Sequence, residues 1–537
     1  MLGNMMQQPL LISSILRQAK TLSPRAEIVS RRVEGDIHRY TYEDCYRRSC
    51  QLAHALRALK VAPGARVGTL AWNGYRHMEL YYAVSGLGAI VHTVNPRLFA
   101  EQIEYIIKHA EDSILFVDLT FVPLLNELAG RLPTVATIIL LCAETDAPTT
   151  ADFEFLCYET LIAPQPDEFD WPTFDENSAA CLCYTSGTTG NPKGVLYSHR
   201  STVIHALASC VPNGLNLSRQ SVVLPVVPMY HVSAWGLPYS GLMAGAKLVM
   251  PGASLDGAAL YELIETENVN LAFGVPTVWL SMLQYLEKVG KKLPPGMTFG
   301  VGGSAAPLAL VEMLRERHDA YLMPLWGMTE TSPLATFSGW TEDMQTMPLE
   351  ERNRRQISAG RAIYGIELEI FDDNDRPLPH DGQQSGQLRV RGPWIMRNYY
   401  RNDCDPCIDG WFDTGDMATL DADGFLRIVD RKKDVIKSGG EWISSIALEN
   451  AAVSHASVRE ACVVGIPHPR WDERPLLLVV LAENHQLDKD AINTHLAERV
   501  AKWWLPNDII AIEELPHTAT GKLHKVPLRE RYAKHYS

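Results

Sequence analysis

The chain has 537 residues, too many for one hydrophobic core, so two or more domains are expected. Apolar residues make up 46% and charged residues 21%, as in an ordinary soluble enzyme, while 49 basic against 63 acidic side chains leave a formal charge of −14. That sign argues against a nucleic-acid or anionic-membrane surface, and any anionic substrate must be held by local donors. The first residues, MLGNMMQQPLLISSILRQAK, carry no basic side chain before a short apolar run, so they do not read as a signal peptide. No apolar run reaches the ~18 residues of a membrane span. The ten cysteines are scattered, which suits a reducing cytoplasm, and the lone C-x-x-C, Cys404 and Cys407, lacks a second pair for zinc.

Residues 42–59 have a helical period, 66–72 read as a strand, 78–88 as a helix and 113–118 as a short buried strand. The rhythm continues with strand 179–184, helix 198–211, strand 221–228 and helix 255–267. Such alternation predicts layered α/β structure with a largely parallel sheet. From about 360 the pattern changes to strands, 386–390 and 424–430, punctuated by Asp-Gly turns at 381–382, 409–410 and 423–424. Beyond Arg431 comes a compact α+β unit: helix 444–453, strands 461–466 and 476–481, helix 488–503 and a polar tail. The four consecutive charged residues Asp430, Arg431, Lys432 and Lys433 form a solvated joint between the two parts. The predicted domains are therefore a large one, 1–430, and a small one, 431–537.

The stretch 184–194, YTSGTTGNPKG, reads as a phosphate cradle. Gly187 and Gly190 let backbone N–H groups approach an anion, Thr185, Ser186, Thr188 and Thr189 offer hydroxyls, and Lys193 adds a point charge. It does not fit the G-x-x-x-x-G-K-[ST] loop, because Gly194 follows Lys193. A flexible hairpin loop is the plain alternative, but it does not need four hydroxyls and a lysine.

The cradle is followed in order by VPMYHVSAWG (227–236), WGMTET (326–331), GWFDTGD (410–416), DRKKDVIKSGGEWIS (430–444) and TGKLHK (520–525). Together these motifs resemble the adenylate-forming superfamily of acyl-CoA synthetases, luciferases and peptide-synthetase adenylation domains, and the resemblance covers nearly the whole chain. GNPKGVLYSHRST, VPMYHVSAWG, SGGEWIS and WDERPLL are most similar to bacterial medium-chain fatty-acid–CoA ligases and 3-methylthiopropanoate–CoA ligases. The resemblance implies a large N-terminal domain of layered α/β subdomains plus a β-barrel-like part, and a small mobile α+β C-terminal domain. It implies that ATP, Mg²⁺ and a carboxylic acid give an acyl-adenylate, which coenzyme A converts to the thioester. A long-chain ligase and an adenylating enzyme that loads a carrier protein are the readings left beside it. No carrier domain is recognised in the chain, and a luciferase-like oxygenase or a regulatory nucleotide binder fits the motifs less well.

Carried onto this sequence, the resemblance assigns the β- and γ-phosphates to Thr185, Ser186, Gly187, Thr188, Thr189, Gly190 and Lys193. Glu330 would ligate Mg²⁺ beside Thr329. Trp326, Gly327, Met328, Gly303, Ser304, Ala305 and Ile428 would border the nucleotide, with Trp326 standing where most members have tyrosine. Asp416 and Arg431 would hold the ribose, and His231 would stand near the reacting carboxylate. Trp235, Gly302 and Pro333 would line the acyl pocket. Lys522 would bridge carboxylate and α-phosphate in adenylation. Lys433 falls at the hinge, where many relatives have aspartate. Rotation there would replace Lys522 by the coenzyme A loop Lys437, Ser438, Gly439, Gly440, Glu441 and Trp442. Members with the VPM-x-H-V-x-AW motif imply a homodimer.

Overall fold

The computed structural model describes residues 1, 3–185, 191–402, 406–439, 441–517 and 523–536, without the side chain of Glu441. The alternation in the first half builds two sheets. One has seven strands in the order Leu156–Cys157, Thr137–Leu140, Ile114–Val117, Arg66–Leu70, Ile90–Thr93, Ala179–Tyr184 and Gly194–Ser198. All pairs are parallel except the last, a hairpin whose connection carries the cradle motif. Ile114–Val117 is buried at every position, as expected of a strand covered on both faces.

The second sheet has a parallel half formed by Glu27–Arg31, Lys247–Met250, Val222–Pro225, Leu271–Gly274, Thr298–Val301 and Tyr321–Gly327. From Tyr321–Gly327 it continues antiparallel through Leu334–Phe337, Gly360–Ala362, Phe425–Arg431, Trp411–Leu420 and Gly386–Arg391 to an edge at Glu367–Phe371. The part expected to be barrel-like is thus continuous with the parallel sheet. Helices have local reasons to start where they do. Tyr42–Ala58 begins at a capping box in which the Thr41 hydroxyl accepts from the Asp44 N–H and the Asp44 carboxylate accepts from the Thr41 N–H.

The small unit has a sheet of Glu441–Ile443, Ile436–Ser438, Asp472–Leu481 and Val458–His468, with Asp508–Ala511 parallel beside Asp472–Leu481. The helix expected over 488–503 ends at Ala497. Val500 N still donates to Leu496 O at 2.9 Å, but Ala501 is extended at ψ 136°, so Trp504 reaches the core of this unit from a separate turn.

One side chain ties the two large sheets behind the site. Asn73 is buried; its Nδ2 donates to Pro225 O at 2.7 Å and to Val227 O at 2.8 Å, and its Oδ1 accepts from Met229 N at 2.7 Å. Replacing it leaves three backbone groups buried without partners. Asn73→Ala is expected to cost about 3 kcal/mol and to lower the thermal midpoint; an unchanged melting curve would contradict this role.

Candidate active site

Strand Ala179–Tyr184 ends at Thr185, where the loop is pinched shut. The Thr185 N–H donates to Lys193 O at 2.9 Å and the Lys193 N–H to Thr185 Oγ1 at 3.2 Å. Ser186, Gly187, Thr188, Thr189 and Gly190 lie outside the described residues. The Lys193 ammonium sits 4.8 Å from the Tyr399 ring centre, and the Tyr399 hydroxyl donates to Glu330 Oε1 at 2.7 Å. Tyr399 therefore touches both the Lys193 cation and the Glu330 carboxylate. Burial, and next the Glu330 charge, push the Tyr399 phenol up, so it remains a donor at neutral pH. Thr329 and Glu330 are buried; Thr329 O accepts from the Tyr197 hydroxyl at 2.7 Å and Glu330 O from Met396 N at 2.8 Å.

Four residues earlier the same segment turns to a second carboxylate. The Trp326 indole N–H donates to Asp416 Oδ2 at 3.0 Å, and Arg431 Nε lies 2.9 Å from Asp416 Oδ1. Asp416 and Arg431 face each other across neighbouring strands. Asp416 is only 3% exposed, and its carboxylate is acceptor-only, the chemistry that would suit ribose hydroxyls. The indole bond is not legible in the sequence, which places Trp326 only at the border of the nucleotide. Ile428 is half-buried on the strand that ends in Arg431, and Gly303, Ser304 and Ala305 are exposed on the loop after Thr298–Val301. Gly327 has no alternative, because a Cβ would stand 1.9 Å from Pro333 O. Pro333 is buried, and its carbonyl accepts from Met328 N at 3.1 Å.

His231 is half-buried and opens a turn with an unusual backbone. Val232, Ser233, Ala234 and Trp235 have φ of 48°, 46°, 48° and 56°, followed by Gly236 at 77°. A left-handed L-residue costs roughly 1–2 kcal/mol, and a β-branched one is a true outlier, so this turn stores strain. It brings the Trp235 indole against Gly302, where a Cβ would come within 2.9 Å of the ring. These two expected pocket residues are therefore in contact.

The joint is a turn, Lys432 to Asp434, after strand Phe425–Arg431. Burial pulls the Lys433 ammonium below the ordinary lysine range. Sequence reasoning missed the polar cluster behind it. Asp430 Oδ2 accepts from Ser445 N at 2.6 Å, the Lys525 ammonium reaches Ser445 Oγ at 2.6 Å and Glu449 at 2.7 Å, and Arg529 pairs with Asp434 at 2.7 Å. In the loop expected to receive coenzyme A, Ser438 Oγ accepts from Arg474 at 3.1 Å, and the Lys437 ammonium lies 4.8 Å from the Trp442 ring centre. Gly439 has φ 61°, and a Cβ there would lie 2.9 Å from Trp471. Gly440, the Glu441 side chain and Lys522 lie outside the described residues.

Residues 16–400 match the AMP-binding enzyme family and residues 447–522 the AMP-binding enzyme C-terminal domain, so the chain belongs to the AMP-binding enzyme family. It is 44% identical over 533 residues to a medium-chain-fatty-acid–CoA ligase of Ectopseudomonas oleovorans, covering 99% of this chain and 98% of that one. It is 45% identical over 533 residues to a 3-methylmercaptopropionyl-CoA ligase of Ruegeria lacuscaerulensis, covering 99% of each. A crystal structure of an anthranilate CoA ligase with anthranoyl-AMP superposes with a TM-score of 0.85 at 23% identity, over 97% of this chain and 98% of that one, which shows the fold is shared.

Trp326→Phe keeps an aromatic face but leaves Asp416 Oδ2 without its indole donor. AMP binding measured by calorimetry is expected to weaken about tenfold, the worth of one charge-assisted hydrogen bond. Unchanged AMP affinity would show that this bond does not orient Asp416.

Proposed function

We propose that the protein is an AMP-forming acyl-CoA ligase that activates a medium-chain fatty acid. The observation that carries this reading is the segment Trp326–Glu330, which bonds to Asp416 at one end and to Tyr399 beside Lys193 at the other. One short stretch thereby touches both the ribose and the phosphate ends expected for ATP, next to the turn that holds His231 and Trp235. The full-length similarity to acyl-CoA ligases supports the same reaction.

In the first half-reaction a carboxylate oxygen attacks the α-phosphorus and pyrophosphate leaves. This step needs charge neutralisation more than proton transfer. Lys193 and the cradle hydroxyls are assigned to the β- and γ-phosphates, Asp416 with Arg431 to the ribose, and Lys522 to the oxygens of the reacting centre. Magnesium fits this donor set. Mg²⁺ commonly takes one or two carboxylates and completes its shell with water and phosphate. Glu330 supplies one hard oxygen, and no group of three or more His, Cys, Asp or Glu among the described residues could hold a metal alone. When bound, the ion would neutralise charge on the phosphates.

In the second half-reaction the coenzyme A thiol attacks the acyl carbon and AMP leaves. In this reading the small unit rotates about the turn at Lys433 and exchanges Lys522 for the loop at Lys437–Trp442, as the resemblance implies. Scattered thiols favour the cytoplasm, and the resemblance favours a homodimer.

Two variants separate the halves. Lys522→Ala is expected to abolish acyl-AMP formation while supplied acyl-AMP still reacts with coenzyme A. Gly439→Leu, strained at φ 61° and pressed on Trp471, is expected to stall at acyl-AMP. Equal loss of both half-reactions in either variant would contradict the exchange. For the acid, pyrophosphate release across a panel from acetate to palmitate, with 3-methylthiopropanoate, is expected to give the highest kcat/KM with octanoate; a maximum at acetate or palmitate would overturn the medium-chain assignment.

A further inference from the structure

The strained turn 232–236 has backbone bonds of its own, from Ala234 N to Pro228 O at 3.2 Å and to His231 O at 3.4 Å and from Leu237 N to Ala234 O. Among its residues only Gly236 is suited to a positive φ, so contacts from neighbours add to the constraint. Two of them are thiols on the strand that leads into the phosphate cradle. The Val232 N–H donates to Cys183 Sγ at 3.2 Å, and Ser233 Oγ lies 3.5 Å from Cys181 Sγ. Two residues apart, these cysteines point to the same face of strand Ala179–Tyr184. Both are buried, at 1% and 0% exposure. Burial pushes their thiols up to about 12 and about 11, so both stay uncharged at neutral pH and serve as soft hydrogen-bond partners.

The other end of the turn is wedged. A Cβ on Gly236 would come within 2.8 Å of the His205 ring, whose Nε2 accepts from Leu334 N at 3.2 Å, just after Pro333. Ahead of the turn, the buried Tyr81 hydroxyl donates to Met229 O. The turn is thus clamped between the cradle strand and the segment after Glu330. The cysteines are the part of the clamp that belongs to the cradle strand.

We propose that Cys181 and Cys183 are positioning residues for acid binding: they hold turn 232–236 in its left-handed form and so fix where His231 and Trp235 stand. This rests on the reading of His231 and Trp235 as the wall of the acid site. Without the sulfur acceptor the Val232 N–H is left buried and unpartnered, and the turn relaxes toward ordinary backbone angles. The indole then leaves Gly302, while Glu330 and Asp416 keep their own partners.

The test compares Cys183→Ala, which removes the acceptor, with Cys183→Ser, which keeps one. Steady-state kinetics are measured for acid and for ATP, with the melting temperature of each variant. Ser233→Ala, which removes the partner of Cys181 from the turn side together with a contact to Tyr81, is a second variant should Cys183→Ala fold poorly. The alanine variants are expected to raise the acid KM about tenfold, with ATP KM within about twofold, and to shift the preferred acid length. Cys183→Ser is expected to keep acid KM within about threefold of the parent. Equal effects of alanine and serine, equal rises in both KM values, or no change in acid KM would overturn the proposal. Trp235→Ala separates the premises: if it leaves the acid KM and length profile unchanged, the acid-site reading fails; if it alters them while the cysteine and Ser233 variants do not, only the clamp fails.

Discussion

The hydrogen bond from the Tyr197 hydroxyl to the Thr329 carbonyl, 2.7 Å long and buried, joins the two large sheets at the point where the chemistry is expected. Tyr197 belongs to the edge strand of the seven-stranded sheet, and Thr329 follows the last parallel strand of the other. Tyr197 pairs with Cys181, and the connection of their hairpin carries the motif expected to cradle phosphate. The hairpin therefore meets three things at once: the cradle at its tip, Thr329–Glu330 through its hydroxyl, and the acyl-side turn through its thiols. Asn73 performs the same joining from behind, on the carbonyls of Pro225 and Val227. A site lying between two sheets needs such cross-links, because a shift of about 1 Å between its parts already costs much of the orientation catalysis depends on.

The electrostatics follow a second constraint. At a formal charge of −14 the whole molecule repels a polyphosphate, so attraction has to be local. The site carboxylates are accordingly not left bare. Glu330 accepts from Tyr399, and Asp416 accepts from Trp326 and faces Arg431. Each is oriented in advance by a donor from a neighbouring segment. Lys193 is exposed at the loop's base, next to the Tyr399 ring.

Much of this was legible because it is local. The alternation between 42 and 267 specified strands and helices that the fold reproduces, and residues such as Glu330, Asp416 and Arg431 could be picked from short motifs. What escaped was non-local or conformational. The bond between Trp326 and Asp416 joins residues 90 positions apart, and that between Lys525 and Ser445 joins residues 80 apart. No propensity rule places Val232 in a left-handed turn, since tertiary hydrogen bonds impose it against local preference. The spacing predicts a helix as far as 503 because Trp504 follows Val500 at a helical interval, although the backbone turns out between them at Ala501.

The central claim is that the acid is activated on the α-phosphorus of ATP. It is tested most directly by turning over octanoate labelled with ¹⁸O in its carboxylate and reading the products by mass spectrometry. An acyl-adenylate route transfers one labelled oxygen to AMP and none to pyrophosphate. Unlabelled AMP, or label in a phosphate product other than AMP, would contradict it.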